Sequence, residues 1–539
     1  MGGPDAWPGR ILATTRATAT HRHNLSATRP LSAESADNPL VEGLERLPVH
    51  PTVLAIFGAT GDLARRKLLP AIYNLAHEGQ LPERFEVIGI GRRDQESDDF
   101  REVVRGCIER HSRRAPDPDV LDGLLSSVRY IQGSFDEPQV YAELGRALSE
   151  ADERAGMPLH RVFYLSTAPE FFPLIAAMLG ESSLHQAQDV EVRIVIEKPF
   201  GYDLRSARTL NSQLLEVFEE RQIFRIDHYL GKETVQNLIA LRFANALFEP
   251  VWNRNYVDQV QITVAEDIGI GGRAAYYEQA GALRDLVQNH MLQLLALVAM
   301  EPPTAFDADR LRDEKLKVLE AIVPPSPGEV RSMALRAQYA PGVVGGVQVP
   351  GYREEPGVAP YSRTATYAAL RLHVSNWRWA GVPFYLRTGK RLARKLTEIA
   401  VILKEIPHVA FQSSGSVGIQ ANQIVLTIQP DEGVSVSIGA KIPGTRMRIQ
   451  PVNMEFRYGT AFLSESPEAY ERLILDAMRG DATLFTRNDE VEALWGIVDP
   501  ILEAWDADRS STIPQYDAGS AGPPEADALL EGGRVWRRL

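Results

Sequence analysis

From Thr52 onward, short apolar runs alternate with amphipathic stretches. The runs fall at residues 53–57, 85–90, 128–131, 162–165, 192–196 and 223–226. Between them, apolar positions recur at helical spacing over 62–78, 98–111, 138–155, 170–180 and 204–220. Six strands separated by helices predict a parallel, doubly wound sheet covered on both faces, a Rossmann-type α/β layer over residues 51–226. Pro70 lies inside the first predicted helix and should kink it. The pattern changes at Asp227. Beyond it, period-two alternation marks longer strands at 257–264, 366–374, 398–406, 422–428, 434–442 and 447–456. No helix separates the last of these, so hairpins and a large, mostly antiparallel sheet follow. Two helices near 467–478 and 489–505 close the chain. Residues 227–539 thus read as an α+β domain. The polar face of its sheet needs cover, and a second subunit would supply it, as a homodimer or a dimer of dimers.

Residues 1–50 stand apart. The first 37 are rich in Arg, Thr, Ala, Ser and His, with Asp5 the only acid before Glu34. This is faintly like a transit peptide, but no amphipathic pattern is sustained, and a disordered tail is the reading adopted.

Length and charge narrow the classes. A chain of 539 residues exceeds one ordinary core. Its formal net charge of −13 argues against a nucleic-acid partner, which needs a basic surface. No apolar run is long enough to span a bilayer, so no membrane partner is expected and the chain reads as cytoplasmic. The single cysteine, Cys107, sits in a helical pattern as a buried thiol and rules out a disulfide within the chain. No His, Asp or Glu cluster has convincing metal-ligand spacing, and no metal is expected.

Two segments carry candidate chemistry in the first half. Gly58, Ala59, Thr60, Gly61, Asp62, Leu63, Ala64 and Arg65 join the first strand to the first helix. Glycine at the strand exit allows a sharp turn and close approach of a pyrophosphate to the helix N-terminus. The spacing departs from the usual G-x-G-x-x-G. The second strand ends in Arg92 and Arg93 rather than in a carboxylate. Guanidinium groups there suit a ribose 2′-phosphate, which favours NADP over NAD. Arg65 and Arg66 begin a helix, where cations oppose the dipole, and a nearby phosphate would explain them; Asp94 leaves dual use open.

The densest chemistry is Arg225-Ile226-Asp227-His228-Tyr229-Leu230-Gly231-Lys232-Glu233. His228, Tyr229 and Lys232 offer donors or positive charge to a phosphate, and Asp227 can hold a second histidine. His290 lies on the apolar side of a helix pattern with Leu283, Val287, Met291, Leu294 and Val298. A buried imidazole beside a carboxylate suits a general base for an alcohol proton, with Asp227 as the leading partner.

These segments, with Asp285-Leu286-Val287-Gln288-Asn289-His290, Glu197-Lys198-Pro199-Phe200-Gly201 and Arg387-Thr388-Gly389-Lys390, resemble the glucose-6-phosphate dehydrogenase family in order and separation from about Thr52 to the C-terminus. The resemblance implies oxidation of glucose 6-phosphate at C1 to the 6-phosphogluconolactone with NADP as cofactor. It implies His290 as the base, paired with Asp227. It places the sugar phosphate on His228, Tyr229 and Lys232, the sugar hydroxyls on Glu266 and Asp285, and a second phosphate anchor on Lys390 and Lys395, with Gln429 a weaker candidate. The segment from Gly58 to Arg65, together with Arg92, would bind NADP. Lys198 would touch both sugar and cofactor, ahead of a hinge at Pro199 where a cis peptide is plausible. Some family members hold a second, structural NADP partly through an arginine where this chain has Thr427, so none is expected here. Two alternatives stay open: a dehydrogenase for another hexose phosphate or a free sugar, and an NADP-binding scaffold without turnover.

Overall fold

The computed structural model describes residues 49–408, 420–445, 447–461 and 467–539. The tail expected over 1–50 lies outside them apart from its last two residues.

The first sheet has the strands β1 (Thr52–Phe57), β2 (Phe85–Gly91), β3 (Val128–Gln132), β4 (His160–Leu165), β5 (Val192–Ile196) and β6 (Ile223–Ile226). They are parallel, in the order β6-β5-β4-β1-β2-β3. The order reverses direction between β1 and β4, and a ligand crevice opens at the carboxyl ends of strands at such a point. Every residue of β1 and β5 is buried, as expected of strands with helices on both faces.

The first predicted helix differs in detail. A π-helical turn, Ala64–Leu68, runs into α1 (Leu69–His77), and Pro70 sits in the first turn of α1. Its missing N–H falls where helical bonding is not yet required, so the proline produces a join rather than the kink expected from an uninterrupted helix. The sequence reading also missed α3 (Pro118–Ser126), which follows α2 (Ser97–His111) and begins at Pro118 with Asp117 as cap.

The second sheet has nine strands. Six belong to a continuous antiparallel or mixed core: β7 (Val257–Ala265), β10 (Pro383–Gly389), β11 (Leu396–Leu403), β12 (Gln423–Gln429), β13 (Gly433–Lys441) and β14 (Ile449–Arg457). The others are β8 (Ala334–Ala340), β9 (Tyr367–His373) and β16 (Gln515–Asp517). The order is β14-β13-β12-β11-β7-β10-β9-β8-β16. Pairings are antiparallel except β7 with β10 and β8 with β16. β8, β10 and β16 were not foreseen. β10 has no polar–apolar alternation because all seven of its residues are buried.

Along β7, Val260, Ile262 and Val264 face the core helices. Gln259, Gln261 and Thr263 alternate with them and are also buried. The chain's own C-terminus covers that second face: Arg537 N–H donates to Gln261 Oε1 at 2.9 Å, and its guanidinium reaches Glu398 at 2.9 Å. Part of the cover expected from another subunit is therefore internal. The far edge stays open, with Val452 and Met454 of β14 exposed.

The last helices return to the first sheet. α11 (Ala469–Arg479) docks through buried Glu471, which accepts from Asn74 at 2.8 Å and from Arg113. Then β15 (Phe485–Thr486) pairs antiparallel with β6 as a seventh strand, and α12 (Asn488–Ala507) begins. Among the last helices, Lys315 and Glu490 form a fully buried ion pair at 2.7 Å, joined by Gln293 of the His290 helix region. No described helix is long and apolar enough to cross a membrane.

Candidate functional site

His290 stands on a π-helical segment, Leu283–Met291, between α8 (Ala274–Ala282) and α9 (Leu292–Ala299). The face assigned to it from 3.6-residue spacing is too narrow. With the wider turn, Asp285, Leu286, Gln288 and Asn289 are buried as well, so nearly the whole segment is interior. π-turns of this kind collect at functional sites because they re-aim side chains within a helix.

The imidazole is fully buried and has a partner on each nitrogen. Nδ1 lies 2.5 Å from Asp227 Oδ1, and Nε2 lies 2.9 Å from Lys198 Nζ. An ammonium cannot accept, so Nε2 carries the lone pair and Nδ1 the proton given to Asp227. Asp227 is fixed in turn by the Tyr229 N–H at 2.9 Å, in the turn that leaves β6. Burial, then the Lys198 charge, hold His290 below the usual imidazole value. Burial raises Asp227 above the usual carboxylate range. Tyr229 stacks on His290 at 4.3 Å between ring centres, and the half-buried His228 meets it edge-on at 4.5 Å.

The other candidates extend this cluster. Lys198 follows β5 after a buried Glu197, and its peptide with Pro199 is cis. Besides His290 it reaches the Asp285 carbonyl at 3.0 Å and the Asp285 carboxylate at 3.5 Å. The Lys198 and Lys390 charges hold Asp285 below the usual carboxylate range despite its burial. Lys390, at the end of β10, donates to Glu266 at 2.6 Å. On the other flank Lys232 donates to Gln429 at 2.7 Å, and Gln429 donates to Thr397 at 2.9 Å. Burial lowers Lys232 to about 8, with Lys395 among the neighbouring cations. Lys395 itself is exposed. Three residues here escaped the sequence reading: Tyr276, whose hydroxyl reaches Asp285 at 3.2 Å; Tyr277, under the Lys390 ammonium; and Thr397. Tyrosines carry no motif, and their relevance appears only once α8 is placed.

Asp227, His228 and His290 also form a trio whose donor atoms lie within 4.8 Å of one another, a proximity that sequence spacing did not reveal. With Nδ1 committed to Asp227 and an ammonium at Nε2, the set suits proton transfer better than a cation.

The Gly58 segment forms a separate cleft at the switch between β1 and β4. Gly58 has φ +81°, and a Cβ there would lie 2.4 Å from the Ser166 carbonyl. The N–H groups of Gly58 and Ala59 bond to Ile90 O, and that of Gly61 to Gly58 O. The turn's free donors are therefore those of the first helical turn, from Asp62 and Leu63 on. Ala59 and Ala64 are buried packing residues. The cleft, of about 500 Å³, is lined by Thr60, Arg92 and Arg93 together with Ser166, Thr167 and Phe171. The last three lie after β4, where no motif marked them. Arg92 and Arg93 are exposed and make no ion pair among the described residues. Arg66 is instead paired with Asp62 at 2.9 Å, which accounts for its place without a phosphate. Arg65 is half-buried. The positive-φ cradle and first-turn donors fit a dinucleotide pyrophosphate.

Residues 55–237 match the family profile described as the glucose-6-phosphate dehydrogenase NAD binding domain, and residues 239–537 match that of the C-terminal domain. "Glucose-6-phosphate 1-dehydrogenase 2" of Mycobacterium tuberculosis strain H37Rv is 48% identical over 94% of this chain and 99% of its own length. "Glucose-6-phosphate 1-dehydrogenase" of Chlamydia pneumoniae is 47% identical over 91% and 96%. Among solved structures, "Glucose-6-phosphate dehydrogenase in complex with its substrate glucose-6-phosphate" superposes with a TM-score of 0.83 at 34% identity, covering 91% of this chain and 99% of that one.

Proposed function

This chain belongs to the glucose-6-phosphate dehydrogenase family, an oxidoreductase family with a dinucleotide-binding domain, and from that premise we propose how its residues divide the oxidation of glucose 6-phosphate at C1. One observation carries the reading: a buried imidazole anchored by a carboxylate on one nitrogen, with its basic nitrogen turned toward the lysine that ends β5. The C1 hydroxyl replaces the Lys198 ammonium at His290 Nε2. His290 takes the hydroxyl proton, and Asp227 stabilises the imidazolium that results. Burial keeps the base neutral until then. Lys198, displaced, stays beside the sugar through Asp285. Glu266 and Asp285, poised by Lys390 and Tyr276, accept from the sugar hydroxyls. His228, Tyr229 and Lys232 hold the phosphate, with Lys390 and Lys395 flanking it. A nicotinamide dinucleotide, when bound, accepts the hydride that leaves C1 and makes the product 6-phospho-D-glucono-1,5-lactone.

The dinucleotide is NADP in this reading. The segment of Gly58, Ala59, Thr60, Gly61, Asp62, Leu63, Ala64 and Arg65 would hold its pyrophosphate, and Arg92 would meet its 2′-phosphate. Residues 51–226 form the NADP-binding part and 227–539 the substrate-binding and dimerising part. The exposed apolar edge at β14 supports a homodimer, and the protein works in the cytoplasm.

The test is absorbance at the NADPH band after mixing protein, NADP and glucose 6-phosphate. Rapid growth of the band, slower with NAD and with unphosphorylated glucose, is expected. Faster turnover of free glucose would remove the phosphate-holding roles. An Arg92→Ala variant should narrow the preference for NADP over NAD, and an unchanged ratio would take Arg92 out of the site.

A further inference from the structure

Away from the catalytic cluster, a groove of about 530 Å³ runs between the start of the catalytic helix, the segment before β9, and the end of α12. Arg284, Arg336, Arg363 and Arg509 all line it. In a chain with a net charge of −13, none of these four makes an ion pair among the described residues. Two acids share the lining, and neither forms an ion pair with these arginines among the described residues. Glu278 is engaged by the hydroxyls of Tyr352 and of Ser362 (2.7 Å), and Asp506 is exposed on the rim. The guanidiniums are held in place by carbonyls rather than carboxylates. Arg336 donates to Trp505 O at 2.6 Å, and Arg363 to Asp508 O and Ser511 O at 3.0 Å each. In both, a single terminal nitrogen is used, and the remaining donors have no hydrogen-bond partner among the described residues. Arg509 has no side-chain partner among the described residues. Burial, then the neighbouring Arg363, lower Arg336, against the pull of Asp506 and Asp508, neither of which forms an ion pair with it.

We propose that this groove is a second anion site, which takes a small phosphorylated metabolite by bidentate contacts to Arg336, Arg363 and Arg509. Leu502 offers apolar wall to the remainder of such a ligand, and the Trp505 ring backs the Arg336 guanidinium at 5.5 Å. The site reaches the reaction through one short path. Its floor is the backbone of Gly281 to Arg284, which leads directly into the segment holding Asp285 and His290. Arg284 also bonds the Tyr202 carbonyl at 2.8 Å, in the loop that follows Lys198. An anion that draws Arg284 into the groove loosens that bond and shifts the loop carrying Lys198.

Inorganic pyrophosphate is the probe, titrated by calorimetry into the full chain with glucose 6-phosphate and NADPH both saturating. That dead-end pair fills the catalytic and coenzyme sites without turnover. One pyrophosphate site is expected to survive, and it should weaken about a hundredfold or more in Arg363→Ala/Arg509→Ala, since each lost charge-assisted contact is worth about tenfold or more. Turnover without pyrophosphate should be unchanged in the variant. Arg509→Ala alone, at an exposed position, serves if the double variant does not fold. Loss of all pyrophosphate binding once the two known sites are filled would overturn the proposal. So would an affinity that the arginine variants leave unchanged.

Discussion

His290 and Lys232 show how one environment, burial, gives two side chains opposite uses. Burial keeps His290 neutral and basic, so its removal strikes the chemical step. His290→Asn should lower kcat by about 10²–10⁴-fold with little change in KM, as read from steady-state rates. A near-normal kcat would restore the reading as a binding scaffold. For Lys232 burial lowers the ammonium to about 8. The positive charge is present below that value and lost above it. kcat/KM for glucose 6-phosphate should therefore fall as pH rises through about 8, while kcat holds, because bound phosphate restores the proton. Lys232→Arg, which keeps its charge throughout, should move that alkaline limb upward. A limb that stays in place would assign it to another group.

At the scale of elements, the strand–turn–helix after β1 is the most exacting. Gly58 combines a positive φ with a backbone carbonyl 2.4 Å from any Cβ, so Gly58→Ala must open the turn against β4. The KM for the dinucleotide should rise about tenfold or more, with the sugar's KM changed less. Equal KM values would show that the turn does not cradle the pyrophosphate. This element was legible because a glycine, a buried strand and a helix leave a local pattern. The six strands of the first sheet were legible for the same reason. β10 was not, because it opens on Pro383 and carries Arg387 and Thr388, so it is neither a continuous apolar run nor an alternating one although all of it is buried. The π-segment was not either: a register defect changes hydrogen bonding without changing composition, and it brought Asp285 and Asn289 inward with His290. The acid–base pair was anticipated from residue types. The Lys198 contact with His290 depends on two chain ends meeting, which no spacing encodes.

At the scale of the molecule, the open question is what covers β14. The C-terminal residues close one part of the second sheet and leave Val452 and Met454 exposed at its edge. Isolated apolar side chains are common on surfaces, but on an edge strand they invite a partner. Light scattering should give the mass of a dimer, and Met454→Lys should shift it toward the monomer. A wild-type monomer would leave β14 without a role.

The pairing of β15 with β6 bears on the order in which the chain emerges during synthesis. The first sheet's six parallel strands are complete by Ile226, yet the strand that caps their edge arrives about 260 residues later. A nascent chain therefore carries an open edge, with Phe224 lacking the Phe485 ring that packs on it at 4.8 Å, for nearly half of its translation. A fragment ending before Ala469 would keep that raw edge permanently, so truncation here invites self-association rather than a free-standing nucleotide-binding half.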